Sequence, residues 1–237
     1  MRSRALKPGE TNMNNRGRGI ILSYVYTFLN TVIGVFMSAF VLRMLGKTEY
    51  GVYQTMTSFL SYIVLFEFGT GTIMTRNISL CSKDGTDEEA INKNVSTIMV
   101  ITLILSVVIS LAICIFYLLI PTVYRNSLTK SQIEYGKVLF IIVGIRSVVS
   151  FLIQTMNGAI LGFEKYSFQQ VLKIGYLLVR TCLVVILLLL RPISLTVVII
   201  DTVLSLVELV IVLYYCFGRL KIKFNFSCFD GMIFRLM

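Results

Sequence analysis

Six stretches of this chain, residues 20–42, 51–74, 95–120, 135–158, 167–190 and 193–216, are each apolar over more than twenty residues. A bilayer core of about 30 Å needs roughly 20 consecutive apolar residues of helix. Inside it every backbone N–H and C=O must be paired within the segment, which a helix does and a loop cannot. Six such stretches among 237 residues predict an all-α membrane protein with six transmembrane helices. The composition agrees, with 56% hydrophobic and only 14% charged residues, far from the balance of a soluble domain. The first stretch is too long and too rich in Ser, Thr, Asn and Tyr for a secretory leader. No small-residue cleavage site follows it, so it is read as a retained helix.

Lysine and arginine set the expected orientation. With the N-terminus inside, the cytoplasmic segments hold thirteen (Arg2, Arg4, Lys7, Arg16, Arg18, Arg76, Lys83, Lys93, Lys165, Arg219, Lys221, Lys223 and Arg235). The outer loops hold five: Arg43, Lys47, Arg125, Lys130 and Arg191. The positive-inside bias places both termini in the cytoplasm. The chain then divides into a cytoplasmic N-terminal segment (1–19), a six-helix transmembrane lobe (20–216) and a basic cytoplasmic connector (217–237). Residues 1–12 read as unstructured, and Met13 is a second candidate start. The polar run 81–94 is expected to be a cytoplasmic loop in which Asp87, Glu88 and Glu89 open a short surface helix. The net charge of +10 sits mostly in these short segments. It reports topology, and no basic stripe with interleaved aromatics points to a nucleic-acid partner.

The chain has no histidine, which removes an imidazole base, a histidine metal ligand and a histidine pH switch. Cys81, Cys114, Cys182, Cys216 and Cys228 form no CxxC pair and read as small hydrophobes, three of them within apolar spans. No catalytic constellation, metal site or cofactor site is expected, and no acidic loop motif for a metal-bound sugar nucleotide occurs. The expectation is a non-enzyme.

Between the first two spans lies VLRMLGKTEYGVYQ, residues 41–54. Gly46 can end a helix in a left-handed conformation, and Arg43 suits that helix's C-terminal dipole. Thr48 can cap the next helix with Glu49 in its first turn, and Tyr50 and Tyr53 fit a headgroup belt. The stretch therefore reads as a tight hairpin at the outer face. Its wording, R-x-LG-x-x-x-YG-x-Y in Arg43, Leu45, Gly46, Tyr50, Gly51 and Tyr53, resembles the bacterial polysaccharide-biosynthesis membrane proteins. These are the oligosaccharide flippases of the multidrug/oligosaccharidyl-lipid/polysaccharide exporter superfamily. FEFGTGT and NGAILGFEKYSFQQVLKIGYLLVR (157–180) resemble their helix-two end and their link between helices four and five. The likeness spans roughly 14–237.

The resemblance implies one lobe of a two-lobed alternating-access fold in the bacterial plasma membrane. It implies a polyprenyl-pyrophosphate-linked oligosaccharide as substrate, membrane lipid around the chain, and a second six-helix lobe supplied by missing C-terminal sequence or a second copy. A multidrug exporter of the same superfamily and a truncated non-transporting membrane protein remain the alternatives.

Charge at depth within the spans is the remaining signal: Glu67, Arg146, Lys173, Arg180, Asp201 and Glu208. Each such Arg, Lys or Asp costs about 2.5–3.5 kcal/mol at mid-bilayer, so each is a functional candidate with a partner to be named. Lys173 and Arg180 are seven apart, as are Asp201 and Glu208, so each pair shares a helix face. At 1.5 Å per residue, Lys173 and Glu208 lie roughly 9 and 12 Å from the inner helix ends, and Arg180 and Asp201 roughly 20 and 23 Å. Two structural ion pairs, Lys173–Glu208 and Arg180–Asp201, are therefore allowed. Arg146 has a carboxylate at similar depth only across the bundle. The competing reading puts Arg146, with Arg180, Lys173 and Arg18, against the substrate's pyrophosphate. It leaves Glu67, Asp201 and Glu208 for ion coupling. Arg16 and Arg18 also read as topology anchors, and Gly34, Gly69, Gly71, Gly144, Gly158 and Gly175 as close-packing positions.

Overall fold

The computed structural model describes the backbone of residues 13–64, 69–83 and 88–220, and the side chains of residues 17–58, 69–81 and 91–220. The described residues are helical almost throughout: α1 Met13–Val64, α2 Thr70–Lys83, α3 Glu88–Val123, α4 Lys130–Gly162, α5 Tyr166–Leu190 and α6 Ser194–Tyr214. A π-helical turn, Tyr215–Arg219, extends α6. Among the described residues five segments are long and apolar enough to cross a membrane: Gly17–Ser58, Ile91–Val123, Lys130–Gly162, Tyr166–Leu190 and Ser194–Arg219.

α1 is two arms. Gly46, at φ 76° and ψ 165°, lies in a backbone region essentially reserved for glycine, and the helix resumes directly after it. The expected turn is therefore where the sequence put it, but its capping differs. The Thr48 side chain is exposed and makes no capping hydrogen bond among the described residues. Two further expectations are corrected. The second apolar stretch, 51–74, is not one helix: the second arm of α1 is described to Val64, Gly69 is a turn residue at φ 66°, and α2 starts at Thr70. The described part of the run 81–94 holds no separate short helix, and the expected opening at Asp87 lies outside the described residues. Glu88 begins α3, which continues unbroken for 36 residues, and residues 84–87 lie outside the described backbone.

α4 is the axis of the bundle. Thr129 opens it with a reciprocal capping box, its hydroxyl accepting from Gln132 N and Gln132 Oε1 accepting from Thr129 N at 2.9 Å. In its first half and just past its middle, Leu139, Phe140, Val143 and Phe151 pack with Val52 and Met56 of α1 and Ile109 and Ile120 of α3. Towards its second half, Met156, Ala159 and Ile160 meet Met74 and Ile78 of α2, Val95 and Ile98 of α3, and Val212 and Cys216. A third cluster joins Val41 and Leu45 of α1 to Val184 and Leu188 of α5 and Val197 and Ile200 of α6.

α2 lies on α4 backbone to backbone. A Cβ on Gly158 would fall on the Gly71 carbonyl, and a Cβ on Gly71 would come 2.9 Å from Gln154 O. Thr75 Oγ1 donates to Gly158 O at 2.9 Å across the crossing. Small residues allow this approach, as membrane helices require when lipid competes for apolar contact. Gly34 and Gly175, by contrast, face no atom within 4 Å, so they are not packing positions among the described residues.

Large apolar side chains cover the outside, among them Phe28 and Phe36 of α1, Leu111 and Leu118 of α3 and Val210 of α6. No soluble monomer carries such a surface; acyl chains solvate it. The chain is a multi-pass membrane protein.

Candidate functional site: three charges among three membrane helices

Asp201, on α6, is 1% exposed and is the meeting point of two arginines. Arg180, from α5, grips it with both edges of its fork: Nε donates to Oδ1 at 2.6 Å and Nη2 to Oδ2 at 2.9 Å. Arg146, from α4, donates Nη1 to Oδ2 at 3.0 Å. These are charge-assisted hydrogen bonds of the strong kind. They offset the cost of a carboxylate sealed from solvent, which unpaired would be several kcal/mol. The arginine side chains are 31% and 26% exposed for Arg146 and Arg180 against 2% for Asp201. The trio is therefore a buried anion under two part-exposed cations, with one positive charge in surplus. Arginine does not lose its proton in proteins, so the surplus is permanent. Each guanidinium keeps donors that Asp201 does not use.

The geometry decides between sequence-level possibilities. The Arg180–Asp201 pair forms as depth allowed. Arg146 finds its carboxylate across the bundle, in the same Asp201 rather than in one of its own. The Lys173–Glu208 pair is not made among the described residues: Lys173 Nζ sits over the Tyr26 ring of α1, 5.8 Å from its centroid. Equal depth alone does not make the pair. Glu208 nonetheless lies in the field of both Lys173 and Arg146. Arg18 is exposed near the start of α1 and joins no ion pair among the described residues. Glu67 lies outside the described residues. The trio brings Arg146, Arg180 and Asp201 together, with Lys173 and Glu208 nearby and Arg18 apart.

The turn residues divide in the same way. Arg43, Gly46 and Gly51 are exposed. The rings of Tyr50 and Tyr53, 6.2 Å apart, pack against the cluster between α1, α5 and α6, and Tyr53 lies in the field of all three members of the trio. Glu49 does what a local reading missed. Its Oε1 accepts from Ser194 N at 2.7 Å and from the Tyr135 hydroxyl at 3.0 Å, and that hydroxyl also meets Ser194 Oγ at 2.8 Å. A glutamate after the turn thus caps α6, a helix 145 residues away in sequence. Its place just after a helix-breaking glycine gave no sign of that partner. A hollow of about 480 Å³ opens beside this clasp, lined by Lys47, Glu49, Gln132 and Tyr135 among others. It shares no residue with the arginine trio.

Similarity to known proteins agrees with this architecture. No curated protein sequence matches the chain. A solved structure described as "protein A" superposes with a TM-score of 0.71 at 18% identity, over 95% of this chain and 50% of that one. The likeness is one of fold, and the chain spans half the length of that protein. The family model for polysaccharide biosynthesis proteins matches residues 17–237. With that match over nearly its whole length, the chain belongs to the polysaccharide biosynthesis protein family.

Proposed function

We propose that this chain is one lobe of a flippase that carries a polyprenyl-pyrophosphate-linked oligosaccharide across the bacterial plasma membrane by alternating access. It is a transporter lobe rather than an enzyme in this reading. The observation that carries the reading is the surplus positive charge of Arg146 and Arg180 at depth. A sealed structural pin would need one arginine per carboxylate. Here two forks share one carboxylate and stay part-exposed, a composition suited to a second anion. A pyrophosphate offers oxygens in the geometry that guanidinium forks match.

The proposed topology has six passes with both termini cytoplasmic. The first arm of α1 makes the first pass, and its second arm with α2 in series makes the second. A second six-helix lobe, from further sequence or a second copy, completes the cavity, because alternating access needs two bodies that rock about a central site. The multidrug-exporter alternative handles hydrophobic cations, which would meet a surplus of like charge here.

The test is transport of a fluorescent short-chain prenyl-pyrophosphoryl sugar in vesicles containing Arg146→Ala protein. Transport should be lost while the chain stays folded, because Arg180 still holds Asp201 through two hydrogen bonds. Wild-type transport by that variant would remove Arg146 from the site.

A further inference from the structure

The clasp at the start of α6 holds several polar groups beside a hollow and leaves them unused. Tyr135 donates its single phenolic proton to Glu49 Oε1. The phenol oxygen in turn accepts from Leu195 N at 3.2 Å and from Ser194 Oγ at 2.8 Å. Glu49 Oε1 also accepts from Ser194 N, so the carboxylate is fixed through one oxygen. Its other oxygen, Oε2, accepts no hydrogen bond among the described residues. The capping box at Thr129 decides which way the Gln132 amide points: its carbonyl oxygen accepts from Thr129 N, which leaves the NH2 group over. Lys47 and Ser131 are exposed and make no hydrogen bond or ion pair among the described residues.

These groups line the hollow of about 480 Å³, a size typical of small-molecule sites, which run from roughly 300 to 1,000 Å³. Buried Leu45 and Val52 give it an apolar wall. Its charges cancel, Lys47 against Glu49, whereas the arginine trio carries a surplus. The hollow therefore asks for a neutral ligand. It offers donors in the ammonium and the amide, an acceptor in the carboxylate oxygen, and a hydroxyl that does both. A sugar ring is the matching chemistry: its hydroxyls donate and accept, and its C–H faces lie against apolar surface.

The hollow is also in line with the trio. Ser194 and Asp201 are seven residues apart on α6 and Tyr135 and Arg146 eleven apart on α4, which is roughly 10 and 16 Å of helix. In both helices the hollow is at the N-terminal end, the end that the proposed topology places outside. One ligand can reach both places if its anionic part is at the arginines and its neutral part extends outward.

We infer that the hollow binds neutral carbohydrate, the sugar residues that lie beyond the pyrophosphate of a lipid-linked oligosaccharide. The inference rests on the anion site proposed above and adds a second subsite that reads the glycan. Glu49, Gln132 and Lys47 are its binding residues, and Tyr135 is a positioning residue that acts through Glu49.

The experiment is equilibrium binding of two short-chain prenyl-pyrophosphoryl glucans, one with a single glucose and one with three, to the full chain in lipid nanodiscs. The trisaccharide ligand should bind wild type about tenfold more tightly, the worth of one or two net hydrogen bonds. Lys47→Met and Gln132→Glu together should erase that margin and leave the monosaccharide affinity unchanged. Lys47 is exposed, and glutamate keeps the capping box while removing the amide donor, so both changes spare the fold. Equal affinity of wild type for the two ligands, which needs no variant, overturns the inference and leaves the anion site standing. A margin that survives the double substitution also overturns it. Binding of neither ligand to wild type removes the anion site and this inference together.

Discussion

The two sides of α4 are built from different chemistry. On one, α2 lies so close that Gly71 and Gly158 meet through their backbones, and Thr70 and Thr75 hydrogen-bond across the crossing to Thr155 and Gly158. On the other, α5 and α6 are joined to α4 through Arg146, Arg180 and Asp201, and the arginines remain part-exposed. The first contact has one solution, since backbone cannot repack. The second is made by long side chains with donors to spare. The function proposed above would use both, one side to hold the lobe's shape and one to meet a ligand.

The largest effect should come from the charged side. Asp201→Ala leaves two guanidiniums without their counter-charge and should cost about 3–5 kcal/mol, as expected for one partner removed from a buried pair. Loss of folded protein in fluorescence-detected size exclusion, partly restored by Asp201→Asn, is the expected outcome. Wild-type melting of the alanine variant would mean the trio is solvated and contributes no structure. Next is Gly158→Ala, whose new methyl falls on the Gly71 carbonyl. It should cost towards the upper end of the about 1–3 kcal/mol seen for overpacking, read as a lower melting temperature in detergent. An unchanged melt would show that the α2 crossing is loose and that the contrast between the two sides is false. The smallest effect sharpens the contrast: Gly34→Ala and Gly175→Ala add a methyl to open space and should raise stability by at most about 1 kcal/mol through helix propensity. If transport falls while stability holds, those faces meet something outside this chain.

Much of this was legible beforehand because apolar length and charge depth are one-dimensional quantities. The stretches at 20–42, 95–120, 135–158, 167–190 and 193–216 lie within helices to within a residue, and the break fell at Gly46, where a glycine can take the positive φ it needs. The pairing of Arg180 with Asp201 followed from counting residues between antiparallel neighbours. What counting could not supply was azimuth. Lys173 and Glu208 have matching depths, yet the lysine turns to Tyr26 of a different helix. Arg146 reaches Asp201 from a helix not adjacent in sequence, which only packing decides. The division at Gly69 was hidden because the apolar run continues through it, and hydropathy does not register a positive φ. Glu49 was read only as a first-turn residue of its own helix. Its cap on Ser194 depends on how the turn folds against the far end of α6.

The most direct test of the central claim, that the arginine surplus serves an anion, is equilibrium binding of a short-chain prenyl-pyrophosphoryl sugar to wild-type and Arg146→Gln protein in nanodiscs. One hydrogen bond to a charged group is worth about 1.5–3 kcal/mol, so the variant should bind at least roughly tenfold more weakly with its fold intact. Equal affinity in a folded variant would contradict the account and leave the trio as a structural pin.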